Sequence, residues 1–161
     1  MDYSIRELKP NEYFLLKDFL YEAIFQKDKD NLLPRSILEK PELQIYIDKF
    51  GKLPDDYCLC ADISGKVVGV VWARIINGYG SLDSQTPELA ISVYDKYRGK
   101  QIGQKLLEQM LSLLQSKHYK KVALAVQKEN RALSLYKRVG FKIVGENDEE
   151  YLMSYALQER G

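Results

Sequence analysis

The sequence predicts an α/β domain in which a mixed sheet is flanked by helices, and three observations predict it. The chain of 161 residues, 45% hydrophobic and 29% charged, has the size and composition of a single soluble core that buries roughly 70% of its unfolded surface. Strand-type alternation gives way after residue 94 to helix-type spacing, and the two then alternate to the C-terminus. No internal repeat, low-complexity tract or Gly/Ser linker divides the chain, so residues 1–161 are read as one domain.

Each element follows from its local pattern. Tyr3 to Leu8 alternates like a strand, and Pro10-Asn11-Glu12 then opens an apolar-periodic helix through Phe14, Leu15, Phe19, Leu20 and Ala23. Pro34 and Pro41 bracket shorter helical pieces that end near Phe50-Gly51. Tyr57 to Ile63 and Lys66 to Ile76 are rich in β-branched and aromatic residues and are separated only by Ser64-Gly65, which predicts a hairpin. Glu88 to Tyr94 follows as a third strand. Between 98 and 117, Ile102, Leu106, Leu107, Met110, Leu111 and Leu114 share one helical face, and Val122 to Val126 is a short buried strand. Asn130 can cap a second helix that carries Ala132, Leu135, Tyr136 and Val139 and ends at Gly140. Phe141 to Val144 and Glu150 to Leu157 complete the order strand, helices, three strands, helix, strand, helix, two strands.

Several function classes are excluded by composition. No apolar run approaches the roughly 18 residues of a membrane span, and the first ten residues lack the apolar centre of a secretory signal, so a cytoplasmic location is expected. Cys58 and Cys60 lie two apart in an apolar run and read as small buried hydrophobes. His118 is the single histidine, too few for a zinc site with those cysteines, and it reads as solvated surface. Residues 96–142 hold twelve Lys and Arg against only Glu108 and Glu129 in a chain of net charge +1. That asymmetry fits either solvated helix faces or an anion site such as one for phosphate.

The segment from Glu88 to Leu107 passes from a strand through a basic, glycine-containing loop into a long helix. A helix start leaves backbone N–H groups unpaired at the positive end of the dipole, which suits a pyrophosphate, and Gly99 and Gly103 allow close backbone approach. Within it, Val93-Tyr-Asp-Lys-Tyr-Arg-Gly-Lys-Gln-Ile-Gly103 resembles the acetyl-CoA motif of the GNAT superfamily of N-acetyltransferases, written Gln/Arg-x-x-Gly-x-Gly/Ala. Arg98 takes its first position and Gly103 its last, while Gln101 stands where the first motif glycine is expected; if that position needs a positive φ, the loop differs locally or carries strain. A second segment, Val126 to Phe141, resembles the later family motif through Asn130, Ala132, Leu135, Tyr136, Gly140 and Phe141. The resemblance covers 57–157, the cofactor-binding core, and leaves 1–55 as a variable acceptor-side region.

The resemblance implies a mostly antiparallel sheet whose central strands splay to admit acetyl-CoA as cosubstrate. It implies that the backbone of Ile91, Ser92 and Val93 pairs with the pantetheine arm and that the Val93 N–H polarises the thioester carbonyl. It further implies cofactor contacts from Arg98, Gly99, Lys100, Gln101, Ile102, Gly103, Gln104, Asn130 and Tyr136, with Tyr136 as general acid toward the departing thiolate. An amine acceptor must lose a proton before attack, and Glu88, at the start of the strand leading to the loop, is the candidate base, acting through water. Trp72 is most simply core. Tyr79, Asp83 and Tyr151 are candidates to line the acceptor cleft, and Asp28, Asp30, Asp55 and Asp56 to attract a cationic amine. The expected activity is transfer of acetyl from acetyl-CoA to a primary amine of a small molecule or peptide, and the alternative is a non-catalytic acetyl-CoA-binding or sensing module of the same fold. Nucleic acid is not an expected partner, because no recognised binding motif accompanies the basic segment. A homodimer is expected only on general frequency.

Overall fold

The computed structural model describes residues 2–158. Seven strands form one sheet in the order β1-β2-β3-β4-β5-β7-β6, where β1 is Ser4–Glu7, β2 Tyr57–Ile63, β3 Lys66–Arg74, β4 Glu88–Val93, β5 Lys121–Gln127, β6 Lys142–Glu146 and β7 Glu150–Ala156. Every pairing is antiparallel except that of β4 with β5. Among the described residues there are four α-helices, α1 Leu16–Ala23, α2 Pro41–Gln44, α3 Ile102–Ser116 and α4 Ala132–Val139, and three 3-10 turns over Pro10–Leu15, Arg35–Glu39 and Asp95–Tyr97. The mixed, mostly antiparallel sheet is the expected one.

Alternation along the strands divides the core into two layers. Leu59, Ala61, Val71, Ala73, Leu89 and Val93 face α3 and α4, meeting Leu106, Leu107, Met110, Leu114 and Tyr136. Cys58, Cys60, Val70, Trp72 and Ala90 face the opposite side, against Leu16, Phe19 and Leu20 of α1 and Leu38, Tyr46 and Phe50 of the segment that follows. Both cysteines are buried free thiols, and burial raises the Cys60 thiol to about 11. The β2–β3 turn places Ser64 and Gly65 at φ 49° and 89°, the left-handed pair that matches strand twist in a two-residue hairpin.

Several boundaries differ from the sequence reading, each for an identifiable reason. The helix expected from Pro10 is a 3-10 turn over Pro10–Leu15 before α1 begins. Glu12 fixes its start, accepting from the Lys9 N–H at 2.9 Å and forking with Arg6 at 2.8 and 2.9 Å. The ion pair holds Glu12 down at about 2, and Phe14, read as part of an apolar face, is left exposed. The helix expected from residue 98 starts only at Ile102, because Gly99 and Gln101 take positive φ values of 78° and 64° that no α-helix accommodates. Strand β3 stops at Arg74, two residues before Ile76.

Arg74 ends the strand because it is buried in an ion pair. Its Nε and Nη2 meet the two carboxylate oxygens of Asp56 at 2.8 and 3.0 Å, and its Nη1 donates to the carbonyls of Ile45 and Asp48 at 3.0 and 2.9 Å. Asp56 also accepts from the N–H groups of Gly51 and Leu53. The pair thus clamps residues 45–56 onto the end of β3, and it takes Asp56 away from the acceptor-attracting role considered for it. Asp28 closes its own turn through Asp30 N–H and Asn31 Nδ2, and Asp55 accepts from the Tyr119 hydroxyl.

With both partners of the clamp at most 3% exposed, Asp56→Ala leaves an uncompensated buried guanidinium. Urea denaturation is expected to show a loss of about 3–5 kcal/mol, against under 1 kcal/mol for Glu129→Ala in the exposed Lys27–Glu129 pair.

Candidate active site

The site begins where the one parallel pairing fails. Strands β4 and β5 register only at Glu88 and Ala123, with the Ala123 N–H donating to the Pro87 carbonyl at 3.0 Å. Beyond that point they diverge. Tyr94 N–H donates to Val68 on the β3 side, and an antiparallel ladder alternates, so Ile91 and Val93 turn their backbone groups the other way, toward β5. By the same alternation, Leu157 N–H to the Lys120 carbonyl leaves Ala125 and Gln127 facing β4. A slot with backbone polar groups on both walls results.

The slot is continuous with the loop before α3. Among the described residues, the N–H groups of Gly99 to Gln104 donate to no protein acceptor. These six donors precede and enter a 15-residue helix, the arrangement that binds phosphate oxygens. Gln101 does adopt the left-handed conformation, so the loop reaches the glycine-type geometry at a cost of about 1–2 kcal/mol. A Cβ at Gly103 would meet only Leu135 at 3.8 Å and Val93 at 3.9 Å, ordinary contacts. No protein contact therefore demands glycine there; what glycine leaves open is room beside β4 and α4. These features fit the pyrophosphate and arm of acetyl-CoA.

The other residues singled out in the sequence divide into those brought to this slot and those that are not. Arg98 donates from Nε to the Val93 carbonyl at 2.9 Å and pairs with Asp95 at 3.1 Å, which braces the loop against the strand end. Gln104 accepts weakly from Arg138, and Lys100 is exposed. Ile102 contributes its N–H to the loop while its side chain is core. Asn130 caps α4 one residue early, its Oδ1 accepting from the Ala132 N–H at 2.9 Å, and an open depression of about 390 Å³ lined by Asn130, Arg131, Leu133, Ser134 and Lys137 lies beside it. Ser92 is turned away: its hydroxyl donates to the Phe19 carbonyl at 2.8 Å and its backbone pairs with Val70. Asp83 is also elsewhere, bound to Thr86 Oγ1, the Gln85 N–H and Lys121.

Tyr136 is buried against Phe141, ring centroids 5.9 Å apart, and among the described residues its hydroxyl has no protein partner. Burial alone pushes its pKa well above the ordinary phenol value, so it keeps its proton. Glu88 is not the solvated strand-entry carboxylate that its position would ordinarily give; it is 3% exposed. One oxygen, Oε2, accepts from the Tyr46 hydroxyl and from the Gly80 N–H at 2.9 Å. The other, Oε1, is buried with no hydrogen-bond partner among the described residues. Burial raises the Glu88 pKa against the lowering effect of these donors. Tyr79 and Tyr151, both considered as cleft residues, share a small pocket of about 170 Å³ with Ala125, Glu146 and Glu150.

Residues that the sequence reading missed hold this corner together. Gly80 packs so closely on β5 that a Cβ would lie 2.7 Å from the Ala125 nitrogen, which seats the β3–β4 loop against the base of the slot. Tyr46 and Arg74 had no distinguishing local pattern, one lying in a short helical stretch and the other at the end of an apolar run. Their roles arise only from tertiary contact.

Comparison with known proteins matches residues 20–141 to the model of the acetyltransferase (GNAT) family. The N-acetylaspartate synthetase of Xenopus tropicalis is 34% identical over 113 residues, 68% of this chain and 40% of that protein. The chain thus spans well under half the length of that relative. Among solved structures, an acetyltransferase of the GNAT family from Streptococcus pneumoniae superposes with a TM-score of 0.68 at 25% identity, over 96% of this chain and 99% of that one. The PaiA N-acetyltransferase of Thermoplasma acidophilum, solved in complex with coenzyme A, gives a TM-score of 0.71 at 20% identity, over 97% and 99%.

If the loop carries strain at Gln101, thermal denaturation will separate two substitutions there. Gln101→Gly, which needs no side chain at φ 64°, is expected to be neutral or to stabilise by up to about 1 kcal/mol, whereas β-branched Gln101→Val costs about 1–2 kcal/mol more than Gln.

Proposed function

Since this chain belongs to the acetyltransferase (GNAT) family, an acetyl-CoA-dependent group of acyltransferases, we propose that it moves the acetyl group of acetyl-CoA directly to a primary amine of a small molecule or peptide. The observation that carries this reading is the pairing of two features, the slot walled by Ile91, Val93 and Ala125 backbone and the six N–H groups at the start of α3 that have no protein acceptor among the described residues. When bound, acetyl-CoA supplies an activated acyl group that needs no covalent attachment to the protein. The loop from Gly99 to Gln104 holds the pyrophosphate, and the 57–157 core provides the cofactor side while residues 1–55 shape the acceptor side.

The chemistry then divides among three groups. The Val93 N–H, directed into the slot, donates to the acyl oxygen as charge develops there during attack. Tyr136, on α4 beside Leu135, directs its hydroxyl proton toward the sulfur as the thiolate leaves. The departing thiolate, whose conjugate thiol has a pKa of about 8.5, is less basic in water than the buried phenolate, so the contribution of Tyr136 is a hydrogen bond that strengthens as charge develops on sulfur. Glu88 takes the acceptor proton, by way of water, and its raised pKa brings it closer to the amine than an exposed carboxylate would be.

Activity follows the ionised form of Glu88, so kcat/KM is expected to rise with pH through a midpoint above the ordinary carboxylate range. Stability runs the opposite way. A carboxyl whose folded pKa is raised contributes most below its unfolded pKa, and that contribution is lost as pH rises through the folded value. Glu88→Gln is therefore expected to be no less stable than the parent at neutral pH while losing about 10²-fold or more in kcat/KM.

The first experiment is acetyl-CoA titration by calorimetry, followed by thiol release across polyamines, aminoglycosides, amino acids and N-terminal peptides. Tyr136→Phe is expected to bind acetyl-CoA as the parent does and to lower kcat about 10-fold to 10²-fold. Binding without amine-dependent release from any acceptor would replace this reading with that of a sensing module, and absence of binding would remove both.

A further inference from the structure

The carboxylate of Glu88 is held asymmetrically, and the residue responsible comes from the acceptor-side region. Tyr46 lies just after α2 and donates its hydroxyl to Glu88 Oε2. The same Tyr46 oxygen accepts the Tyr79 N–H at 2.9 Å, and the rings of Tyr46 and Tyr79 stack with centroids 6.5 Å apart. Tyr46 is placed by β3. Trp72 Nε1 donates to the Tyr46 carbonyl at 3.0 Å, and Arg74 Nη1 to the neighbouring Ile45 carbonyl at 3.0 Å. Trp72 and Arg74 are two residues apart on one strand and so point to one face, and both are buried. Two consecutive carbonyls are thus pinned by rigid core side chains, which fixes where the phenol points. Ring packing alone would be served equally well by phenylalanine.

We propose that Tyr46 is a positioning residue for Glu88: its hydroxyl occupies Oε2 and leaves Oε1 as the oxygen that receives the acceptor proton. This rests on the reading of Glu88 as the base. Tyr46 also favours the ionised carboxylate, because a donor to the charged form stabilises it. The groups that face Glu88 are Tyr46 from the turn after α2, Gly78, Tyr79 and the Gly80 N–H from the β3–β4 loop, Glu150 from β7, and Arg74 across the ladder on β3. Arg74 is committed to Asp56, and Glu150 disfavours the charge on Glu88. Tyr46 and the backbone of Gly78 and Gly80 are therefore the groups that counter burial, and only the first can be removed through a side chain.

The test titrates the carboxyl itself and needs no acceptor. The infrared carboxylic C=O band of the coenzyme A-bound protein is followed against pH, and the component absent from Glu88→Gln is assigned to Glu88. In Tyr46→Phe that component is expected to move its midpoint alkaline by about one pH unit, a tenfold change in the ionisation constant. With the best amine of the thiol-release panel, the kcat/KM profile is expected to shift alike, losing about tenfold below the parent midpoint and recovering above it, with KM for acetyl-CoA unchanged. A purely structural role would lower the melting temperature and leave both midpoints in place, and that result overturns the proposal. Should Tyr46→Phe fail to fold, 3-fluorotyrosine at position 46 keeps the ring and hydroxyl while making a stronger donor; it is expected to move the carboxyl midpoint down, and an unmoved midpoint overturns the proposal equally. Full kcat/KM in Glu88→Gln removes the base reading and the proposal with it, an outcome distinct from an unmoved midpoint.

Discussion

Everything in the site depends on the failure of one strand pairing. β4 and β5 must run parallel because α3 joins them as a crossover helix, and they meet at a single register, Glu88 with Ala123. Had the ladder continued, the backbone groups of Ile91 and Val93 would be paired with those of Ala125 and Gln127, and the sheet would be closed. The β3–β4 loop supports the divergence on one side, with Gly80 seated against Ala125. On the other side, the Arg98 guanidinium bonds to the Val93 carbonyl and ties the end of β4 to the loop. Unpaired backbone in a protein interior is expensive, so a slot of this kind is sustained only where a ligand or water supplies the missing partners.

That constraint also orders the two core layers. The layer containing α3 and α4 brings Tyr136, Gly103 and Val93 to one side of the slot. The opposite layer, built on α1 and the 35–56 segment, brings Tyr46 and Glu88 to the other side. The Arg74–Asp56 clamp belongs to this second layer, and its work is indirect: it holds the backbone from which Tyr46 projects. Stability and chemistry are therefore coupled through residues 45–56, whereas the exposed pairs Lys27–Glu129 and Lys105–Glu108 lie outside that coupling.

Much of this was legible in the sequence, and the boundary of legibility is physical. Elements whose pattern is local came through directly: the α3 face from Ile102 to Leu114, the Ser64-Gly65 hairpin and the Gly140 helix stop each follow from periodicity or backbone preference. The loop before α3 and Tyr136 were singled out by motif spacing. What stayed hidden depends on partners far along the chain. Asp56 resembled any surface carboxylate until Arg74, 18 residues on, buried it, and the Tyr46–Glu88 bond spans 42 residues. Asp83, named on topology, is bound within its own turn, and Ser92, named through the resemblance, gives its hydroxyl to a helix carbonyl and its backbone to β3. Gln101 was the one position where the sequence posed a definite question, and the backbone resolves it at φ 64°, retaining the loop geometry at the expense of local strain.

One physical cause, burial, gives the two ionisable groups their different characters. Desolvation raises both Tyr136 and Glu88, because it disfavours the charged form of each. For a phenol the result is a group that remains a donor across the physiological range. For a carboxyl the same shift narrows the gap to an amine and so favours proton acceptance, provided that enough of the charged form survives at working pH. The fold treats them accordingly: among the described residues Tyr136 has no donor directed at its oxygen, whereas Glu88 Oε2 has two, the Tyr46 hydroxyl and the Gly80 N–H. Hydrogen-bond donors at Glu88 oppose its rise, and in the proposed arrangement their placement on a single oxygen determines which face of the carboxylate is left to react. The difference between the proposed acid and the proposed base thus lies in the hydrogen bonds each receives, and those bonds come from the acceptor-side segment and the β3–β4 loop, outside the segments that carry the two family motifs.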